Sequence, residues 1–307
     1  MIVIRKDSEE IKQGIVATIG FFDGVHRGHR FLINELREWG RKLNLPTAVI
    51  TFPEHPRQVL HADYRPKLLD TFSEKLERLE STGVDFCIAL DFTYELSLYS
   101  AADFIRLLAE KYHVKGLLIG YDHRFGHDRS DGFEQYVVYG EQVVMEVKKA
   151  SPYDDGNTRV SSSEIRRLLQ DGNIERANLL LTYSYQLKGR IVAGHKVGRT
   201  IGFPTANIEI DSPYKLLPKE GVYAVWVMLL GKRYKGMLYI GKRPTLQNGD
   251  NQSVEVNILG FSGNVYDDEI LVSFVSRVRE DKIFDNIEAL RKQLERDRIA
   301  VDKILVD

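Results

Sequence analysis

Hydrophobic and polar positions along the 307 residues follow two different grammars. Up to about residue 183, short apolar runs alternate with segments of helical period. Ile15 to Ile19 predicts a strand, and Arg30 to Leu43 an amphipathic helix with Phe31, Leu32, Leu36, Trp39 and Leu43 inward. Thr47 to Phe52 predicts a second strand. Ser73 to Ser81 predicts a helix that Ser73 caps and that buries Leu76 and Leu79. Strand Phe86 to Leu90, helix Ala101 to Tyr112, and strands Gly116 to Ile119 and Gln142 to Val147 continue the alternation. Strands separated by helices imply βαβ units, hence an α/β domain with a mostly parallel, Rossmann-like sheet.

Two short helices, Ser161 to Leu169 and Ile174 to Leu181, precede the change. Beyond them Tyr185 to Val192, Val222 to Leu230, Tyr234 to Ile240, Ser253 to Leu259 and Ile270 to Val275 read as strands. Turns are expected at Gly231-Lys232 and Ser262-Gly263-Asn264. Closely spaced strands without helices between them imply an antiparallel barrel or sandwich. A charged helix from about Asn286 to Ile304 follows. The expected domains are therefore 1–183 and 184–307, a division that the length alone already favours over a single core.

Composition narrows the function classes. Lys and Arg number 43 against 44 Asp and Glu, for a net charge of -1. That balance argues against a nucleic-acid partner, which would demand a basic excess. The longest apolar run, Val222 to Leu230, is too short to cross a bilayer, and the first residues show no signal-peptide core. With Cys87 the only cysteine, no internal disulfide forms; its apolar neighbours make it a packing residue, and a cytoplasmic location is expected.

Candidate chemistry clusters in a few strings. Gly20-Phe21-Phe22-Asp23-Gly24-Val25-His26-Arg27-Gly28-His29 follows the first strand of the alternation. Glycines at a strand-to-helix turn let backbone approach a phosphate, and the helix start offers unpaired N–H groups and a positive dipole end. Imidazole donors flanking Gly28 suit the charge that develops as a pyrophosphate departs. Alone, the same residues read equally well as surface or capping histidines. Downstream, Arg159-Val160-Ser161-Ser162-Ser163-Glu164-Ile165-Arg166 combines capping hydroxyls with two guanidiniums, a combination suited to a triphosphate. In the second half, Gly194-His195-Lys196-Val197-Gly198-Arg199-Thr200-Ile201-Gly202-Phe203-Pro204-Thr205-Ala206-Asn207 offers a glycine-freed loop and the neutral oxygens of Thr205 and Asn207, which suit magnesium. Glu255 alternates with apolar residues in Val254-Glu255-Val256-Asn257 and can serve as a base on an attacking alcohol. By pattern alone these two are also an ordinary turn and an ordinary solvent-facing position.

The order of the strings decides between such readings. The first resembles the HxGH signature of nucleotidyltransferases in the form used by bacterial FAD synthetases. Phe52-Pro53-Glu54-His55-Pro56-Arg57, Leu68-Leu69 with Glu74-Lys75, and Ile119-Gly120-Tyr121-Asp122-His123-Arg124-Phe125-Gly126 resemble that family's later blocks. The second half is similar to riboflavin kinase modules through the Pro-Thr-Ala-Asn string, Pro218-Lys219-Glu220-Gly221-Val222-Tyr223, Ile240-Gly241-Lys242-Arg243-Pro244-Thr245, Glu255 and Arg279-Glu280 with Phe284. Together they resemble the bacterial bifunctional riboflavin kinase/FAD synthetases. The resemblance implies an α/β HxGH domain followed by a small barrel, with ATP phosphorylating riboflavin to FMN and a second ATP adenylylating FMN to FAD. It implies His26, His29, Arg159 and Arg166 as charge-stabilising groups, and ATP contacts from Gly20, Phe21, Asp23, Gly24, Gly28, Ser162 and Ser163. For the kinase it implies ATP contacts from Gly194, Gly198, Arg199, Gly202, Pro204 and Thr205, Mg2+ on Thr205 and Asn207, and Glu255 as base. Flavin contacts fall to His55, Pro56, Asp122, Phe125 and Arg279.

This chain departs from the family at Ser163 (usually Thr), His123 (usually Phe) and Tyr239 (commonly Asn). The expected partners are small molecules, namely riboflavin, FMN and ATP, without nucleic acid or membrane; an oligomer stays open. Alternatives are a chain with one live half, an HxGH enzyme for another phosphate ester, and a flavin-binding regulator without turnover.

Overall fold

The computed structural model describes residues 1–5, 10–60, 63, 66–121, 124–127, 131–153, 160–193, 198, 201–242 and 252–306. The chain divides into two compact units, Met1–Ser161 and Ser162–Asp307.

The first unit contains β1 (Ile2–Ile4), β2 (Ile15–Ile19), α1 (Arg27–Leu43), β3 (Thr47–Thr51), α2 (Pro56–Leu60), α3 (Phe72–Glu80), β4 (Phe86–Ala89), α4 (Tyr94–Ser97), α5 (Ala101–Tyr112), β5 (Val114–Ile119), α6 (Phe133–Gln142) and β6 (Glu146–Lys149). These strands form one sheet in the order β1-β4-β3-β2-β5-β6, and every pairing is parallel. All residues of β2 and β3 are buried, because helices cover both faces. From β2 the chain walks outward through β3 and β4, then crosses back to place β5 on the other side of β2. That reversal creates a crevice beyond the carboxyl ends of β2 and β5, the usual ligand position in such sheets.

Several predicted details shift. Helix α1 starts at Arg27 and buries Ile33, Leu36, Trp39 and Gly40, while Phe31 and Leu43 are exposed at its flanks. Gly40 has no room for a larger side chain, since a Cβ there would lie 2.6 Å from Thr47 Cγ2. The cap of α3 is Thr71, not Ser73: its hydroxyl accepts from the Glu74 amide, and the Glu74 carboxylate accepts from the Thr71 amide. The strand expected over Gln142 to Val147 is the end of α6 followed by a turn. Val144 takes a left-handed φ of 56°, and pairing starts at Glu146. Hydrophobicity is shared by both states, so periodicity over so short a run does not separate them. Strand β1 spans 3 residues, too few for alternation to predict it.

The second unit opens with α7 (Ser162–Asp171) and α8 (Ile174–Leu181) and continues as β7 (Gln186–Val192), β8 (Ala206–Ile210), β9 (Gly221–Leu229), β10 (Lys232–Lys242), β11 (Gln252–Ile258), β12 (Glu269–Arg279) and α9 (Ile287–Ile304). The strands close a barrel in the order β10-β11-β8-β7-β12-β9 with antiparallel pairing throughout. Closure leaves no open edge and decides for a barrel over a sandwich. Strand β8, entered from the Pro-Thr-Ala-Asn string, completes the closure between β7 and β11. The β9–β10 turn falls on Leu230-Gly231, one position earlier than expected, with both residues at positive φ. Asn286 caps α9 by accepting the Ala289 amide at 2.9 Å. Val301 and Leu305 bury against Phe203, Val222, Ala224 and Met237.

The compact units divide at Ser161, ahead of the sequence-based boundary, because α7 and α8 are tied to the barrel. Asn178 Nδ2 donates to Phe274 O at 2.8 Å, Tyr185 N donates to Asn178 Oδ1 at 2.7 Å, and Lys219 N donates to Leu169 O at 3.0 Å.

Candidate active sites

In the first unit the chain leaves β2 through a strained turn. Phe22, Gly24 and Val25 all have positive φ, at 54°, 81° and 33°. The strain is held by Asp23, which is buried and accepts the Leu69 amide at 3.0 Å and the Asp70 amide at 3.2 Å. A carboxylate so engaged anchors the loop to the 69–70 segment. The turn delivers His26 to the N-cap of α1, where Nδ1 accepts the His29 amide at 3.4 Å. The two imidazoles stack with centroids 3.6 Å apart and planes at 16°, and Phe22 meets His29 edge-on at 5.1 Å. Gly28 lies against this stack, its Cβ position 3.4 Å from the His26 ring, an ordinary contact distance.

Burial, then His26, then Lys75 hold the His29 imidazole well below its ordinary pKa, so His29 is neutral at neutral pH. Its Nδ1 is buried with no hydrogen-bond partner among the described residues. Such a group is available to a ligand. Lys75 closes the floor: its ammonium donates to Phe21 O at 3.0 Å and Phe52 O at 2.8 Å. The sequence carries a signal for it, a lysine on the same helical face as Leu79.

Of the expected flavin contacts, His55 lies edge-on to Phe21 at 4.7 Å, and Pro56 opens α2. Phe125 stacks on Tyr136 at 4.4 Å, and Tyr136 Oη both accepts from Phe125 N and donates to Phe125 O. Sequence reasoning misses Tyr136, which lies on a helix the alternation does not predict. A cleft of about 280 Å³ opens beside it, lined by Gly120, Tyr121, Arg124, Phe133 and Lys149 at the carboxyl end of β5. Asp122 and His123 lie outside the described residues, as do Arg159, Gly194 and Arg199. Ser162, Ser163 and Arg166 begin α7 in the second unit, with Arg166 Nη2 3.4 Å from Ser163 Oγ.

In the barrel, strand register gathers residues that are far apart in sequence. Arg279 pairs with Val222, Val222 with Tyr239, Tyr239 with Glu255, and Glu255 with Asn207. One lateral rung therefore carries the expected base, one expected metal ligand and the expected flavin arginine. Thr205 Oγ1 donates to Glu255 Oε2 at 3.1 Å, joining the second ligand to the base. The loop before β8 needs its glycines: a Cβ on Gly198 would collide with Phe203 O, and Gly202 has φ +85°. Pro204 is fastened by Asn257 Nδ2, which donates to its carbonyl at 2.7 Å. Tyr239, the departure from the family, lies over Gly241 and donates to Asp281 Oδ1 at 3.2 Å. Burial, with the Asp281 carboxylate, pushes its phenol up to about 12. Arg279 Nε donates to Asp297 Oδ2 at 2.9 Å, a pair 12% and 2% exposed that sequence reasoning does not anticipate.

The donors of this rung suit magnesium. Two neutral oxygens at the start of β8 and a carboxylate on β11 are a hard-oxygen set of the kind that takes Mg2+ together with phosphate oxygens.

A family model described as FAD synthetase matches residues 8–164, and one described as riboflavin kinase matches residues 181–305. A bifunctional riboflavin kinase/FMN adenylyltransferase of Escherichia coli (strain K12) is 37% identical over 298 residues, covering 96% of this chain and 94% of that one. A protein of the same description from Listeria monocytogenes is 36% identical, covering 92% and 90%. Among solved structures, a chain described as a macrolide-efflux protein from Streptococcus pneumoniae superposes with a TM-score of 0.90 at 30% identity, over 98% of this chain and 99% of that chain. The efflux description is that protein's own; among the described residues here, no helix is long and apolar enough to cross a membrane. Two module matches in this order, with relatives similar over nearly the whole length, place the chain in one family: it belongs to the bifunctional riboflavin kinase/FMN adenylyltransferases.

Proposed function

We propose that the chain builds FAD from riboflavin in two ATP-dependent steps, with FMN formed on the barrel and adenylylated on the HxGH unit. The observation that carries the kinase assignment is the Asn207–Glu255–Tyr239 rung with Thr205 bonded to Glu255. Glu255 accepts the proton of the primary ribityl hydroxyl as that oxygen attacks the γ-phosphorus of ATP, and ADP leaves. Thr205 and Asn207 would hold Mg2+, which when bound neutralises phosphate charge. Gly198 and Gly202, and by sequence Gly194 and Arg199, shape the loop over the phosphates, while Arg279 faces the flavin.

In the second step an oxygen of the FMN phosphate attacks the α-phosphorus of the second ATP and pyrophosphate departs. The nucleophile is the substrate itself, so the protein contributes position and charge. Neutral His29 and the capping His26 offer hydrogen bonds at the N-terminus of α1. Gly20, Phe21, Asp23, Gly24 and Gly28 form the loop that meets the phosphates, and by sequence Arg159, Ser162, Ser163 and Arg166 serve the triphosphate. His55, Pro56, Asp122 and Phe125 contact the flavin. We assign adenylylation to residues 1–183 and phosphorylation to 184–307, acting on small molecules in the cytoplasm.

Chromatographic product analysis of two variants tests the division. Glu255→Gln abolishes FMN formation and spares conversion of supplied FMN to FAD, and His29→Ala does the reverse. Either substitution abolishing both activities in a folded protein would refute it.

A further inference from the structure

Helix α3 presents Leu79 to the core, and one turn earlier, on the same face, it presents a lysine. Lys75 is 3% exposed. Its Nζ donates to Phe52 O at 2.8 Å, Phe21 O at 3.0 Å and Thr51 Oγ1 at 3.3 Å, and it sits 4.0 Å from the centroid of the Phe21 ring. None of these partners is charged. The nearby carboxylates act on it through space rather than by hydrogen bonds: Asp23 accepts the Leu69 and Asp70 amides, and Asp70 Oδ1 meets Arg78 at 2.9 Å. Burying an ammonium on neutral acceptors is expensive, and a methionine would fill the same space without that penalty. Such breaches of core chemistry are expected at functional or strained sites.

The two carbonyls it joins belong to the segments leaving β2 and β3. Phe21 leads into Asp23, His26 and His29, and Phe52 leads into His55 and Pro56. We propose that Lys75 is a positioning residue of the adenylyltransferase site: it fixes the Phe21 and Phe52 segments to each other and sets a buried positive charge behind the phosphate-binding loop. This rests on the assignment of adenylylation to the HxGH unit.

Burial lowers the Lys75 ammonium to about 8, against the opposing influence of Asp23, Cys87 and Asp70. The other charged or titratable groups facing it are His29, whose pKa it helps to lower, His55 against the Phe21 ring, and Arg5 over the Phe72 ring. An ammonium has three donors for its three acceptors, and an amine has two. Above about pH 8 the site therefore loses both the charge and one tether.

The full-length protein, as wild type, Lys75→Met and Lys75→Arg, is assayed from about pH 7 to about pH 9.5 for FAD formed from supplied FMN and ATP, and separately for FMN formed from riboflavin. Wild-type adenylylation should decline above about pH 8. Lys75→Met should lower its kcat by about 10- to 100-fold at about pH 7 and show no such decline. Lys75→Arg, charged throughout the range, should exceed Lys75→Met and also lack the decline. Kinase activity should be the same in all three. Trp39 fluorescence in a Trp226→Phe background reports whether the first unit is folded. Full adenylylation by Lys75→Met at neutral pH, or a wild-type alkaline limb persisting in a folded variant, overturns the proposal. Should Lys75→Met fail to fold, the limb in Lys75→Arg decides alone. A wild type that makes no FAD at any pH refutes the adenylyltransferase assignment itself.

Discussion

Replacing Asp297 by Asn should detach the second unit's site from its support. The substitution keeps shape and removes the carboxylate that Arg279 Nε meets at 2.9 Å, and that also accepts from Gln293 Nε2 at 2.8 Å. Arg279 is 12% exposed and retains its bond to Glu280 O. Removing one partner of a buried pair leaves a desolvated charge and costs roughly 3–5 kcal/mol; the surviving carbonyl bond argues for the lower end, about 3 kcal/mol. At roughly 2–4 °C per kcal/mol for a unit of this size, the melting temperature should fall by about 6–12 °C. Of the two tryptophans, Trp39 lies in the first unit and Trp226 in the barrel. Fluorescence in a Trp39→Phe background therefore isolates the barrel transition. FMN formation should fall with it, since Arg279, the proposed flavin contact, is no longer aimed, while FAD formation from supplied FMN persists. Arg279→Met with Asp297→Leu should recover most of the stability without recovering the kinase. A loss below about 1 kcal/mol, the size of an exposed pair, would refute the reasoning.

Two further outcomes concern the first unit. Because the folded pKa of His29 is depressed, the unfolded state binds the extra proton below about pH 6.5, so stability should fall on acidification by up to about 1.4 kcal/mol per pH unit. Urea midpoints on either side of that pH measure this, and His29→Gln should remove the slope of one proton; an unchanged slope contradicts it. Burial pushes the Cys87 thiol up to about 11. A disulfide reagent at mildly alkaline pH should therefore label it only as fast as the first unit opens, and rapid labelling of native protein would show the thiol to be accessible.

Much of this molecule is legible one segment at a time. The limits of α5 and α8 and the start of α9 follow from period and capping residues, because a helix satisfies its hydrogen bonds within its own sequence. The Gly20–His29 and Gly198–Asn207 strings are likewise local: a turn needing Gly at positive φ, or Gly198 against Phe203 O, writes its demand at that residue. Reasoning from chain neighbours stops there, however. Nothing near Asp23 in sequence indicates that its oxygens accept the Leu69 and Asp70 amides.

The two architectures, their order and the loops that carry the chemistry can thus be read from the residues in a line. Folding in three dimensions was needed to bury Lys75 on neutral acceptors, to set Asp297 behind Arg279, and to pack α7 and α8 with the barrel. It was needed as well to bring Arg279, Tyr239, Glu255 and Asn207 onto one rung. The reason is physical: periodicity reports which face of an element is apolar, whereas strand register and the partner of a buried polar atom are set by residues far away along the chain.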